Sequence, residues 1–318
     1  MVAVEESKQT IYDWMFRLFR RQHEAKFLSS FEKLGLSELP HAVACAQYHV
    51  LSNNMGGVGV EFMPDSDTKA WVRFRYPRWM YAGPAICGIP VEASRGFLHG
   101  WYAQNGVSLG NPRLGFVCVS EDVTGQFGLC GYFKEYDYDL SADERLAFAP
   151  DEVPPAYDPM AQPQPPASEW NEERLAKANR NYAMEYVRNG IQALIETIGR
   201  NRALELGRRA ARLTGLQQFP AMAEALGLSE GGVDDAAAFL ASIMVGMGDE
   251  CAIEQHGAET RVTQTGLRIV RGLDGDARTA LLTCWVELWR GATDSGRAFL
   301  DVTCAIADEQ LVWSISER

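Results

Sequence analysis

Apolar residues in the first half of the chain recur with two different spacings. Between Ile11 and Leu34 they return every three to four positions, which predicts a long amphipathic helix that ends at Gly35. The same spacing predicts a second helix over about 38–54 and a third over about 92–105. After each of these two helices come two runs rich in β-branched and aromatic residues, joined by a short turn. Such pairs of runs are typical of β-hairpins.

The second half of the chain repeats this order of elements. Helices are predicted over about 173–199, 200–214, 234–247 and 277–291, and a predicted hairpin follows each of the last two. Because a hairpin pairs antiparallel strands, the pattern predicts an α+β fold. The expected architecture is two tandem copies of a helix–β-hairpin–helix–β-hairpin unit, each with an antiparallel sheet.

A proline-rich segment lies between the two predicted copies. Proline fixes φ and lacks a backbone N–H, so residues 149–168 are predicted to form an extended linker. The predicted domains are therefore an N-terminal repeat over 1–148 and a C-terminal repeat over 169–318.

Composition and charge narrow the class of partner. The chain has 318 residues, of which 47% are hydrophobic, and a formal net charge of −12. So acidic a chain lacks the cationic patch that binds nucleic acid or an anionic membrane, and neither partner is expected. No apolar run approaches the ~20 residues of a membrane-spanning helix, and the N-terminus has no secretory pattern. The seven cysteines include no C-x-x-C pair, which is typical of reduced thiols, so a cytoplasmic location is predicted.

His41, Cys45 and His49 are spaced four residues apart in the second predicted helix. Their side chains fall on one face, away from the aliphatic stripe, and imidazole and thiolate are ligands for zinc, iron or manganese sites. Three such positions on a straight helix span ~12 Å, so at most two neighbours reach one ion. The candidate metal ligands are His49 and His41. The alternative, to which we give more weight, is a half-buried helix with hydrogen-bonded histidines and an inert cysteine.

His99 lies in the third predicted helix between Gly96 and Gly100. Glycine is unfavourable inside a helix, so its presence twice indicates close approach of another helix or of a ligand. Trp101 and Tyr102 add aromatic surface of the kind that lines ligand pockets. His99 is therefore a candidate general acid/base, and Trp101 and Tyr102 are candidate substrate-binding residues. Helix packing is an equally weighted alternative.

The densest mixture of aromatic residues and arginine lies over 71–90. A strand is predicted first, followed by an irregular loop rich in proline and glycine. Arg75 and Arg78 are predicted to bind a substrate carboxylate through the forked guanidinium, and Trp79 and Tyr81 to stack on a flat ring. The alternative is a surface loop whose arginines pair with the abundant carboxylates.

Cys87, in the same loop, is a candidate nucleophile with His99 as its base, and the commoner alternative is a buried inert cysteine. Glu61 is the candidate acidic residue; it follows a glycine cluster that lacks the spacing of a dinucleotide-binding loop. The sequence also contains no phosphate-binding loop, no G-x-S-x-G and no H-E-x-x-H. No nucleotide cofactor is expected, and a divalent metal is the candidate cofactor.

Three stretches of the second half carry a resemblance to a known family. They are "YVRNGIQALIETIGRNRALEL", "GDECAIEQHG", and the late helix with the closing "VWSI" strand. This half resembles the L-2-amino-thiazoline-4-carboxylic acid hydrolase-like proteins, which are related in outline to 4-vinyl reductase domains. Family members carry cysteines around the central hairpin, whereas "RVTQTGLRIVRGLDG" has none here. The N-terminal repeat keeps Cys87 before its late helix, so the resemblance implies that it is the active copy.

The resemblance implies a small-molecule hydrolase or ring-opening enzyme that acts on an aromatic or heterocyclic carboxylic acid. The alternative is a non-catalytic protein that binds a small ligand, in the manner of a sensor domain. The expected partner is a small-molecule substrate, and a homodimer is left open.

Overall fold

The computed structural model describes residues 1–75, 89–121, 128–228, 231–296, 299–307 and 309–318. The chain forms two compact units. Residues 2–193 form one, here named the N-terminal unit, and Met1 with residues 194–318 forms the other, named the C-terminal unit.

Helices of the N-terminal unit begin and end where the sequence supplies caps. The Ser7 side chain accepts a hydrogen bond from the backbone N–H of Thr10, and Gly35 adopts a left-handed conformation after the first long helix. The helices are α1 (Val2–Glu5), α2 (Lys8–Phe31), α3 (His41–Met55), α4 (Val91–Gly100), α5 (Asn105–Ser108) and α6 (Glu172–Ile198), whose last residues belong to the C-terminal unit.

The sheet of the N-terminal unit has the strand order β1-β2-β4-β3-β5. All its pairings are antiparallel except the parallel pairing of β3 with β5. Alternate residues point to α3 and α4, where Phe74, Phe116 and Phe133 form the centre of the core. The strands are β1 (Val60–Ser66), β2 (Lys69–Phe74), β3 (Leu114–Ser120), β4 (Cys130–Glu135) and β5 (Leu146–Phe148).

The opposite face of this sheet is also covered. Trp71 and Tyr132 are buried there against Ala147 and Ala149. The segment predicted to be a linker binds the free edge of the sheet, since the Gln162 side chain bonds both the N–H and the C=O of Phe62 in β1. It therefore belongs to the N-terminal unit, and the compact units divide at 193/194 instead of at the predicted linker.

The C-terminal unit carries a four-stranded antiparallel sheet in the order β6-β7-β9-β8. Trp313 and Phe239 are fully buried between this sheet and the helices. The first helix was predicted to end near 214 and continues to Leu226. The elements are α7 (Arg200–Leu226), α8 (Val233–Met247), β6 (Glu250–His256), β7 (Glu259–Thr265), α9 (Gly275–Asp294), β8 (Leu300–Ile306) and β9 (Gln310–Glu317).

Glycines let helices pack very closely in both units. In the N-terminal unit, a Cβ on Gly96 or Gly100 would lie 2.5 Å from the backbone oxygen of Tyr12 or Phe16 in α2. The glycines that flank His99 thus serve helix–helix packing, which was one of the two alternatives. In the C-terminal unit, a Cβ on Gly291 of α9 would lie 2.1 Å from the backbone oxygen of Arg212 in α7.

The expected α+β class is confirmed in its coarse form: the protein is mixed α and β with mainly antiparallel sheets. Among the described residues, no helix combines the length and the apolar character that crossing a bilayer requires.

Candidate functional site

A cavity of about 610 Å³ lies within the N-terminal unit between α2, α3 and α6. We name it the α2–α6 cavity. The cavity follows one face of α2, from Phe19 through Gln22, Lys26 and Ser30 to Lys33 just beyond the helix. The other walls come from Leu34, Tyr48, His49, Ser52, Asn53, Met55, Gly56, Phe97, Trp101 and, in or before α6, Trp170, Asn171, Glu173, Arg174, Lys177, Ala178, Asn181, Tyr182, Glu185 and Tyr186.

One end of the cavity is aromatic and buried. The ring of Phe19 contacts Phe97, Trp101 and Tyr186 at centroid distances of 4.6, 6.3 and 5.8 Å. Tyr48 lies 6.4 Å from Trp101, and both line the cavity. These rings offer flat apolar surface for a ligand of similar shape.

Helix α6 runs antiparallel to α2 along the cavity. Trp170 donates through Nε1 to the carbonyl of Lys33 at 3.0 Å, beside the last residue of α2. At the other end, Trp14 donates through Nε1 to the carbonyl of Gly190 at 2.8 Å. Between these two hydrogen bonds, Lys26 and Glu185 form an ion pair at 2.5 Å. These contacts fix α6 as one wall of the cavity.

Tyr182 of α6 rests on the glycine that ends α3. A Cβ on Gly56 would lie 2.5 Å from the Tyr182 ring. The Tyr182 hydroxyl donates to Oδ1 of Asn53 at 3.0 Å, and Asn53 in turn donates to the carbonyl of His49 at 2.7 Å. The position of α6 therefore depends on the small size of residue 56.

The other end of the cavity is exposed and cationic. Lys33 and Lys177 line it and, among the described residues, neither has an ion-pair partner. Arg174 lies over the Trp170 ring at 4.3 Å and pairs with Glu169, just outside the lining, at 3.4 Å. With Lys26, four cations line the cavity, against the two carboxylates Glu173 and Glu185. This local positive excess contrasts with the net charge of −12 of the whole chain.

Two of the predicted site residues, Trp101 and His49, line this cavity. His49 is held as a structural residue would be: its Nε2 lies 2.9 Å from the amide nitrogen of Asn105, which donates to it. Its ring stacks on Tyr102 at a centroid distance of 3.9 Å, so Tyr102 lies behind His49 instead of lining the cavity.

The remaining members of the His41–Cys45–His49 face are also engaged. Nδ1 of His41 lies 3.0 Å from the amide nitrogen of Asn111. Burial raises the pKa of the Cys45 thiol, so the thiol stays protonated at neutral pH. Within the described part of the chain, no three His, Cys, Asp or Glu side chains are placed to hold a metal ion. These contacts agree with the alternative given for this helix, in which the histidines are hydrogen-bonded and the cysteine is inert.

His99 lies outside the lining of the cavity, on the side of α4 that faces α2. Its Nδ1 is 2.7 Å from the hydroxyl of Tyr12. Burial lowers the pKa of His99, and Asp143 opposes this shift. At neutral pH the imidazole is therefore uncharged and accepts or donates according to its tautomer.

Glu61 and Arg75 are brought together, at the edge of the sheet. Glu61 pairs with Arg73, its neighbour across the β1–β2 hairpin, at 2.7 Å and with Arg75 at 3.4 Å. This is the alternative in which the arginines of this segment pair with carboxylates. Four other predicted residues, Arg78, Trp79, Tyr81 and Cys87, lie outside the described residues.

Sequence reasoning missed the walls that α2 and α6 supply. A signal for α2 was available, because Phe19, Gln22, Lys26 and Ser30 occupy one helical face and three of them are polar. A polar face on a helix that is otherwise buried indicates that this face contacts either solvent or a cavity. No local pattern indicates that α6, about 150 residues away, lies opposite this face.

No protein-family model matches the chain, and no curated protein matches it. Among solved structures, the chain is similar to a trafficking protein particle complex subunit 3 from Naegleria fowleri, covalently bound to palmitic acid. The similarity covers 45% of this chain and 96% of that chain, with 12% sequence identity and a TM-score of 0.38. A similarity of this size carries no information about ligand or function, so the interpretation of the cavity rests on its own geometry.

Proposed function

We propose that the N-terminal unit binds a small aromatic or heterocyclic carboxylic acid in the α2–α6 cavity. One observation carries the proposal: a cavity of about 610 Å³ has a buried aromatic end and an exposed cationic end. Ligand sites of ordinary small molecules have volumes of roughly 300–1,000 Å³ and combine apolar walls with a few placed polar groups.

The charge of the cavity supports an anionic ligand. Lys33 and Lys177 have no carboxylate partner among the described residues, so a bound carboxylate would not have to displace one. In an acidic protein, a local cluster of cations also favours entry of an anion over a cation.

Binding without conversion is the form of this proposal that the cavity supports best. The imidazole that lines it, His49, has its Nε2 engaged by Asn105, and its ring is stacked on Tyr102. Hydrolysis with His99 as acid/base and Cys87 as nucleophile stays a prediction, as does the resemblance to the thiazoline-carboxylate hydrolase-like family.

We also propose that the two units arose by tandem duplication. The orders β1-β2-β4-β3 and β6-β7-β9-β8 are the same when the strands are counted from the start of each unit. In each unit a long helix packs closely on the helix between the hairpins, α2 on α4 and α7 on α9. On this comparison the second copy begins with α7, and α6 is an addition to the first.

Calorimetry with a matched pair of ligands tests the binding proposal. We expect 3-phenylpropanoate to bind more tightly than its neutral amide. We expect the double variant Lys33→Met/Lys177→Met to weaken binding of the acid about five- to tenfold, with little effect on the amide. The charge-matched control, Lys8→Met/Lys134→Met, changes two lysines outside the cavity and should alter neither affinity.

Two results would contradict the proposal: failure of a panel of aromatic and heterocyclic acids to bind, or unchanged binding after Trp101→Ala. Mass spectrometry of 2-amino-thiazoline-4-carboxylate incubated with the protein tests the hydrolase prediction separately.

A further inference from the structure

The rings at the aromatic end of the α2–α6 cavity are covered in this conformation. Phe19 and Tyr48 line the cavity, yet the two residues are only 1% and 2% exposed. On the α6 side, the ring of Tyr186 lies 5.8 Å from that of Phe19. A flat ligand can therefore stack on Phe19 and Tyr48 only after a wall of the cavity has moved away from them.

The first part of α6 is the wall with the weakest hold on the rest of the unit. Met184 is the only buried residue over 172–189, a stretch that the structure describes throughout. Shortly beyond this stretch, Ala193 is fully buried in the core of the N-terminal unit. Among the described residues, the backbone of α6 does not pack closely on α2 or α3, whereas that of α4 does pack closely on α2. A segment with few buried apolar contacts opens at low cost.

Gly190 lies at the boundary between the weakly held and the buried parts of α6. A Cβ there would meet no atom within 4 Å, so close packing does not explain the glycine. Glycine weakens the interior of a helix and lets it bend. The Gly190 carbonyl accepts the hydrogen bond of Trp14 at 2.8 Å, which holds this point of α6 on α2. Gly190 therefore has both the freedom and the fixed position of a hinge.

Two contacts hold the part of α6 before the hinge, and we name them the latch. Trp170, just before the helix, donates to the carbonyl of Lys33, and Lys26 pairs with Glu185. Both side chains of the ion pair are partly exposed. A single hydrogen bond and a partly exposed ion pair each contribute little to stability, so the latch can open and close at low cost.

We propose that residues 170–189 form a lid that swings about Gly190 and admits the ligand to the aromatic end. This inference rests on the proposed function and adds the step that gates it. In the closed lid, the latch is formed and Tyr186 covers Phe19. When the lid opens, the latch breaks and the ligand reaches the rings of Phe19 and Tyr48, after which the lid closes over it.

Indole N–H groups report this motion without any ligand. Relaxation dispersion of the indole ¹⁵N signals detects exchange in the μs–ms range, in which lids open and close. We expect exchange at Trp170, whose bond to Lys33 breaks when the lid opens, and none at Trp14, which holds the hinge. Trp313 donates to Gln264 in the C-terminal unit and is the control that should also show none.

Gly190→Ala stiffens the hinge without entering occupied space. Alanine favours a straight helix, so the population of the open lid, and with it the exchange at Trp170, should fall about fivefold. Lys26→Met removes the ion pair of the latch and should raise that population about threefold. Gly246→Ala, at a helical glycine of α8 whose Cβ would also meet no atom, is the matched control and should leave the exchange at Trp170 unchanged.

Stopped-flow binding of 3-phenylpropanoate links the lid to the cavity. Entry and exit of the ligand share the opening step, so Gly190→Ala should lower the association and the dissociation rate constants about fivefold each. The affinity, which is their ratio, should stay unchanged. A glycine with a purely structural role would leave both rate constants as in the wild type.

The outcomes separate the lid from the acid binding on which it rests. Absence of exchange at Trp170 in the wild type overturns the lid, and so do rate constants for Gly190→Ala equal to those of the wild type. Exchange at Trp170 that falls in Gly190→Ala, together with failure of every acid to bind, supports the lid and overturns the proposed function.

Discussion

The two units share a strand order but differ in what lies beside the helices. The N-terminal unit encloses a cavity of about 610 Å³ next to α2 and α3. In the C-terminal unit, a void of only about 10 Å³ lies between α7 and α8, where Phe219 and Phe239 pack edge to face at 5.0 Å. The larger space of that unit, about 490 Å³, is an open surface groove beside α8 lined by polar residues such as Asp234, Asp235 and Gln255. The same strand order therefore accompanies an aromatic cavity in one unit and a polar surface groove in the other.

Side-chain choice on α3 and α8, which the proposed duplication would make equivalent, accounts for part of this difference. Counted back from the glycine that ends each helix, Tyr48 and His49 of α3 correspond to Leu240 and Ala241 of α8. The N-terminal unit places polar aromatic groups where the C-terminal unit places aliphatic ones. Close packing of aliphatic residues leaves no space for a ligand, whereas rings held by hydrogen bonds can line one.

Two expected effects are of similar size, about 3 kcal/mol, and the first comes from the glycines at the helix contacts. Gly100→Ala and Gly291→Ala each force a Cβ against a backbone oxygen of the facing helix, which cannot rotate away. We expect each to lower the free energy of unfolding of its own unit by about 2–3 kcal/mol, measured by urea denaturation. Only Gly100→Ala should also weaken binding of the acid probes, because Trp101 follows Gly100 directly.

Gly246→Ala is the control for these variants. Gly246 lies in α8 and a Cβ there meets no atom within 4 Å, so alanine should be neutral or stabilise by about 0.5 kcal/mol. If Gly291→Ala behaved like this control, the close contact of α7 with α9 would be wrong.

The second effect is the loss of stability of the N-terminal unit at acid pH. Burial lowers the pKa of His23 in α2 to about 3, and Arg20 contributes to the shift. The unfolded chain binds this proton near pH 6.5 and the folded unit does not, so stability is full above pH 6.5 and falls as pH falls toward 3. Between pH 7 and 4 the loss amounts to about 3 kcal/mol.

His23→Gln isolates this contribution. Glutamine does not titrate, so the unfolding free energy of the variant should vary about 3 kcal/mol less than that of the wild type between pH 7 and 4. Parallel profiles for wild type and His23→Gln would contradict the prediction.

The smallest expected effect comes from helix α6, which forms one wall of the cavity. In the proposed duplication, α6 is an addition to the first copy. Gly56→Ala places a Cβ 2.5 Å from the Tyr182 ring, so Tyr182 and the wall must shift. We expect an affinity for 3-phenylpropanoate about tenfold weaker by calorimetry, equivalent to about 1.4 kcal/mol. Gly190→Ala, also in α6 but with no atom within 4 Å of its Cβ, should leave the affinity unchanged.

The sequence alone determined the helices and hairpins and hence the α+β class. The spacing of apolar residues is set within each element, every three to four residues in a helix and every second residue in a strand. It can therefore be read without knowing where the element packs. The sequence also named Trp101 as a candidate substrate-binding residue, because it adds aromatic surface next to the glycines that flank His99. It left His49 open between a metal ligand and a hydrogen-bonded histidine, with more weight on the second, and the structure shows Asn105 donating to Nε2 of His49.

Tertiary structure alone decided where the cavity lies and what lines it. Trp14 bonds Gly190 across 176 positions of sequence, and Trp170 bonds the Lys33 carbonyl across 137. No periodic pattern encodes such pairings, because they depend on which surfaces remain uncovered after each sheet and its helices have packed. The burial of Gln22 has the same origin: its Oε1 has no hydrogen-bond partner among the described residues, and only the folded chain removes water from it.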